Sequence, residues 1–99
     1  MQTLNIVPFV SVDNMMKLVL HLGVERVLTD LAACIEADFR RWESFDKTPR
    51  VASHSALGVI ELMPTSDGEM YGFKYVNGHP KNTRAGLQTV TAFGLLAEV

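Results

Sequence analysis

An α+β fold is predicted by a change of rhythm along the chain. Between Val24 and Phe45, apolar residues recur at spacings of three and four, which is the stripe of an amphipathic helix. After Pro49 they recur at spacing two, the mark of strands with one face turned inward. The helical half precedes the strand-rich half instead of alternating with it, so two helices packed on a largely antiparallel sheet are expected. At 99 residues this is a single domain, with an edge strand and helices over 1–46 and antiparallel strands over 50–99.

The elements follow in order. Residues 5–12 (Asn-Ile-Val-Pro-Phe-Val-Ser-Val) are a short apolar run in which Pro8 removes a ladder donor, so an edge strand is expected. Asp13 is the expected N-cap of a first helix carrying Met15, Met16, Leu18, Val19 and Leu22, stopped by Gly23. Val24, Val27, Leu28, Leu31, Ile35, Phe39, Trp42 and Phe45 then mark a second helix of about 20 residues. Residues 46–49 are its exit loop. Strands are expected over 51–55 and 57–63, the latter closed by Pro64 and a turn at 65–68. A strand over 71–77 completes a hairpin. Residues 78–86 form a polar loop, either a cradle for a phosphate or carboxylate or simply solvated. A last strand begins at Leu87, and the expectation is that the chain stops inside it.

Composition excludes several classes. A net charge of −2 provides no basic footprint for nucleic acid or anionic lipid. No run approaches the roughly 20 apolar residues that span a bilayer, and a cytoplasmic location is expected. Cys34 stands alone, and His21, His54 and His79 lack metal-ligand spacing, so no metal site is expected. No three of the seven glycines fit a dinucleotide-binding turn, and no phosphate-loop lysine occurs. Ser53 and His54 are adjacent on a strand and point to opposite faces, so they make no nucleophilic pair. Cys34 reads as a small packing residue.

One charge pattern stands out. Val59, Glu61 and Met63 share a strand face, Lys74 is expected to lie opposite Glu61 in the hairpin, and Arg50 opens the preceding strand. Two cations near one carboxylate read either as a clamp for a small-molecule carboxylate or as cross-strand ion pairing. The latter is worth only about 0.2–1 kcal/mol.

The runs at 50–55 (Arg-Val-Ala-Ser-His-Ser), 58–64 (Gly-Val-Ile-Glu-Leu-Met-Pro), 73–80 (Phe-Lys-Tyr-Val-Asn-Gly-His-Pro) and 87–97 (Leu-Gln-Thr-Val-Thr-Ala-Phe-Gly-Leu-Leu-Ala) resemble the ornithine cyclodeaminase/mu-crystallin family, as does 38–47. The resemblance covers essentially the whole chain and the N-terminal third of such an enzyme. It implies conversion of L-ornithine to L-proline and ammonia with NAD, which takes up hydride and returns it within one turnover. By resemblance, Arg50 and Lys74 hold the substrate carboxylate, Glu61 and Met63 line the substrate pocket, and Thr89 reaches NAD in a following domain. Glu61 is there to accept from an amine or orient a water. Residues 77–80 approach the cofactor side.

The family's glycine-rich cofactor turn, a further arginine and an acid–base aspartate match nothing in these residues. No cofactor is therefore expected on this chain alone, and isolated turnover is not expected. The family also builds its dimer from this part, so a homodimer or higher homo-oligomer through the sheet edges is expected. A free-standing module binding a small amino acid, and a structural dimerisation fragment, are the alternatives.

Overall fold

Ser11 begins the helical part of the molecule. In the computed structural model, which describes residues 6–99, its hydroxyl accepts from the Asn14 N–H at 3.1 Å. The Asn14 side chain accepts in return from the Ser11 N–H at 3.0 Å, completing a reciprocal capping box. Helix α1 therefore runs Val12–Leu22, and Ser11, not Asp13, is the cap. Asp13 instead pairs with Lys17 one turn on, at 2.8 Å. Gly23 ends α1 at φ 89°, and α2 follows immediately as Val24–Arg40. The edge strand expected over 5–12 does not form among the described residues: 6–10 carry no regular structure and 12 is already helical. The capping box takes the end of that run for the helix, and Pro8 lacks the donor a ladder would use.

The chain divides into two compact units at Arg40 and Arg41. The second helix is shorter than its apolar stripe predicts. Trp42–Ser44 form a turn of 3₁₀-helix, and Phe45 is extended. Local cation contacts account for the break: the Lys47 ammonium donates to the Trp42 carbonyl at 2.8 Å and lies 5.0 Å from the Trp42 ring centroid, while Arg41 sits 4.5 Å over Phe45.

Five antiparallel strands make up the sheet: β1 (Asp46–Lys47), β2 (Val51–His54), β3 (Val59–Ser66), β4 (Met70–Gly78) and β5 (Val90–Glu98). β3 and β4 form the central hairpin, β5 lies on the free side of β4, and β1 and β2 share the other side of β3. Pro64 does not close β3. It stands inside the strand opposite Phe73, and the turn comes later, at 67–69.

Asp67 holds that turn. One carboxylate oxygen accepts from the Glu69 and Met70 N–H groups at 3.0 and 2.8 Å, and the other accepts from Arg41 at 2.9 Å. The Met70 N–H, the Arg41 guanidinium and the Glu69 N–H together lower its pKa from 3.8 to about 2. A depressed carboxylate pKa favours the folded state above the unfolded value, and that contribution is lost as pH falls from 3.8 toward about 2. The expected result is that Asp67→Asn removes part of the acid-unfolding slope in that window. An unchanged slope in a pH titration followed by circular dichroism would refute it.

The two faces of the sheet differ in chemistry. On one, Tyr75 stacks on Phe93 with ring centroids 5.0 Å apart, and Phe73 meets Phe93 edge-on at 6.1 Å. Phe93 nevertheless remains 58% exposed, and no described residue is fully buried. Ile60, Leu62 and Leu95 share this aromatic face by strand register.

Candidate functional site

The opposite face collects the charged residues singled out in the sequence. Strand alternation puts Val59, Glu61, Met63 and Thr65 of β3 together with Val76, Lys74 and Gly72 of β4. Ala52 and His54 of β2 join them, as do Val90, Ala92, Gly94 and Leu96 of β5. Lys74 stands opposite Met63, and Glu61 opposite Val76, so the expected Lys74–Glu61 pairing is off by one cross-strand pair.

Arg50 reaches this face through a bulge. Lys47 pairs with Thr65 and Val51 with Leu62, so three residues (48–50) face two (63–64). One extra residue on the edge strand is the definition of a β-bulge, a device that re-aims side chains. Its cause is readable in the chemistry: Pro49 lies in the interrupted stretch and Pro64 in the stretch of β3 beside it, and neither has an N–H to donate. The extra residue shifts Arg50 onto the face of Glu61, where its guanidinium donates to the Glu61 carboxylate at 2.6 Å.

Glu61 is 20% exposed and Arg50 60%, so the pair leaves guanidinium donors open to solvent. Lys74 is exposed and, among the described residues, makes no ion pair. Its neighbour on β5 is Gly94, whose missing side chain leaves the floor beside the lysine bare; a Cβ there would lie 3.1 Å from the Phe73 carbonyl. The arrangement is one bidentate-capable cation, one point charge and one carboxylate on an open face. It suits a molecule carrying both a carboxylate and an ammonium group.

Thr89 lies at one end of the sheet, just before β5 and beside His79. With Gly58, Val59, Gly78, His79, Pro80 and Val90 it lines a cavity of about 410 Å³. Val59 and Glu61 are successive residues of β3 on one face, so roughly 7 Å of strand separates this end of the sheet from the ion pair. The polar loop expected over 78–86 is ordered as a 3₁₀-helix, Pro80–Ala85, ending at Gly86 with φ 71°. Among the described residues no group of His, Cys, Asp and Glu is placed to hold a metal ion. The bulge and the Asn77–His79 side-chain bond escaped the reading of the sequence; two prolines on neighbouring strands were the available signal for the first.

A model of the ornithine cyclodeaminase/mu-crystallin family matches residues 12–99. The chain belongs to that family. Ornithine cyclodeaminase of Brucella abortus biovar 1 (strain 9-941) is 79% identical over 96 residues, covering 97% of this chain. That of Agrobacterium fabrum (strain C58 / ATCC 33970) is 72% identical over the same length. The chain spans only 27% of the length of these ornithine cyclodeaminases. Among solved structures, an archaeal alanine dehydrogenase dimer with bound NAD is similar, with a TM-score of 0.53 and 30% identity. The match covers 60% of this chain and 18% of that one.

Proposed function

We propose that this chain is the substrate-binding and dimerisation portion of an ornithine cyclodeaminase-type enzyme, holding the α-carboxylate of L-ornithine between Arg50 and Lys74. One observation carries the reading: Arg50, Glu61, Met63 and Lys74 meet on a single sheet face, and Arg50 gets there only through the bulge. Glu61 accepts from the substrate ammonium groups and holds the Arg50 fork in place, while Met63 supplies an apolar, adaptable wall opposite Lys74. Thr89 and the bare backbone of Gly78 line one cavity and fit the edge of a nucleotide cofactor, since a glycine admits close approach. NAD, when bound, supplies the hydride acceptor. These residues bind and orient, and turnover by this portion alone is not part of the proposal. A cytoplasmic location belongs to the same reading; no helix among the described residues is long and apolar enough to cross a membrane.

Calorimetric titration of L-ornithine tests the site. Saturable heat with a markedly weaker affinity in Arg50→Ala is expected, and an absence of heat in both proteins would overturn a preformed carboxylate site.

The dimerisation half of the proposal rests on β5. It is a nine-residue edge strand whose outer side pairs with no other strand among the described residues. Long unpaired edges recruit further strands. Light scattering should therefore show a mass near twice that of the chain, rising with concentration. A monomer persisting at high micromolar concentration would refute it.

A further inference from the structure

The 78–89 segment is built to present one residue. The His79 N–H donates to the Thr89 carbonyl at 2.7 Å, and the His79 carbonyl accepts from the Asn82 N–H at 3.0 Å. Asn82 closes the segment from the other side: its amide group donates to the Gln88 carbonyl at 3.0 Å, and its own carbonyl accepts from the Leu87 N–H at 3.0 Å. Thr89 is thus tied to His79 directly and, through Gln88, to Asn82.

The His79 side chain is fixed as firmly as its backbone. Its Nδ1 lies 2.5 Å from Oδ1 of Asn77, an acceptor, so Nδ1 carries the proton and donates. The ring rests on Gly58, where a Cβ would come within 2.8 Å of ring atoms Cγ and Cδ2. His79 and Thr89 both line the cavity at this end of the sheet.

We infer that His79, locked by Asn77, is a positioning residue that sets where Thr89 stands in the cofactor-side cavity. The inference rests on the proposed cofactor role of Thr89. Its mechanical part does not: Asn77 chooses the tautomer and orientation of the ring, the ring seats against Gly58, and the His79 backbone carries that placement to Thr89. A histidine serving only as filler would not depend on which of its nitrogens is protonated.

Nuclear magnetic resonance on the full 99-residue chain tests both parts. The imidazole ¹⁵N shifts of His79 should report a single Nδ1–H tautomer in the parent chain and in Asn77→Asp, which keeps the acceptor. In Asn77→Leu the tautomer should be released and the Thr89 amide and methyl resonances should move, with the remaining sheet resonances in place. With NAD⁺ as the probe, the dissociation constant read at Thr89 should rise at least threefold in Asn77→Leu and return in Asn77→Asp. An Nε2–H tautomer in the parent chain overturns the inference, as does a Thr89 signal indifferent to Asn77→Leu. If NAD⁺ leaves Thr89 unmoved in the parent chain while the tautomer and the Asn77 coupling are as described, cofactor capture by this portion alone falls and the positioning role stands.

Discussion

Arg50→Ala should weaken L-ornithine binding by about ten- to a hundredfold, more than Lys74→Ala. Hydrogen bonds to charged groups contribute about 1.5–3 kcal/mol, and each 1.4 kcal/mol is tenfold in affinity. Arginine presents a planar fork able to bond both oxygens of one carboxylate, whereas lysine contributes a point charge on a flexible stem. Arg50 is also the pre-oriented member of the pair, held by Glu61 at 2.6 Å, while Lys74 is exposed and starts from many rotamers. The Glu61 carboxylate occupies part of the fork that the ligand needs. Glu61→Gln should therefore strengthen binding of acetate, which has no ammonium group, and weaken binding of L-ornithine, which has two. Calorimetry on the three variants reads all of this. Equal affinities in Arg50→Ala, Lys74→Ala and the parent chain would remove the carboxylate site.

Gly58→Ala should produce the largest loss of stability on the sheet. An added Cβ would lie 2.1 Å from the Gly78 carbonyl oxygen, which belongs to the ladder partner of Val59 and has nowhere to go without moving β4. Overpacking costs typically 1–3 kcal/mol when side chains absorb it, and here backbone must. The turn itself is tight: the Ser55 N–H donates to the Gly58 carbonyl at 2.9 Å, and the Ser55 hydroxyl accepts from the Leu57 and Gly58 N–H groups at 3.2 and 3.1 Å. A fall in Tm of more than about 10 °C is expected for a domain of this size. Gly72→Ala is the control, because the nearest atom to its Cβ is the Leu95 carbonyl oxygen at 3.4 Å, close but tolerable. Equal melting temperatures for the two variants would show that the close approach at Gly58 is not rigid.

Much of this was legible in the chain. The switch from a period near 3.6 to a period of two located the helices and the strands, because each period reports which side of an element faces apolar neighbours. The β3–β4 hairpin and the face shared by Glu61 and Met63 followed from alternation alone. What failed were features decided by hydrogen bonding between residues that no period marks. Ser11 outcompeted Asp13 as a cap because Asn14 could answer it. Trp42 and Phe45 continued the helical stripe in sequence, yet Lys47 and Arg41 hold them in other conformations. Pro64 looked like a stop, but a strand tolerates a proline where its neighbour is interrupted, and here the neighbour bulges. The resemblance named Arg50 and Lys74 as partners in binding. Only the register shows how both come to one side.

That register makes the site a matter of odd and even. With the Lys47–Thr65 alignment continued unbroken, Arg50 would fall opposite Leu62 and point among Tyr75 and Phe93; with the extra residue it falls opposite Met63. Deletion of Thr48 or of Pro49 would invert the parity of the edge strand without touching a charged side chain. The count of residues between Lys47 and Val51 is thus as much a determinant of ligand recognition as the identity of the arginine.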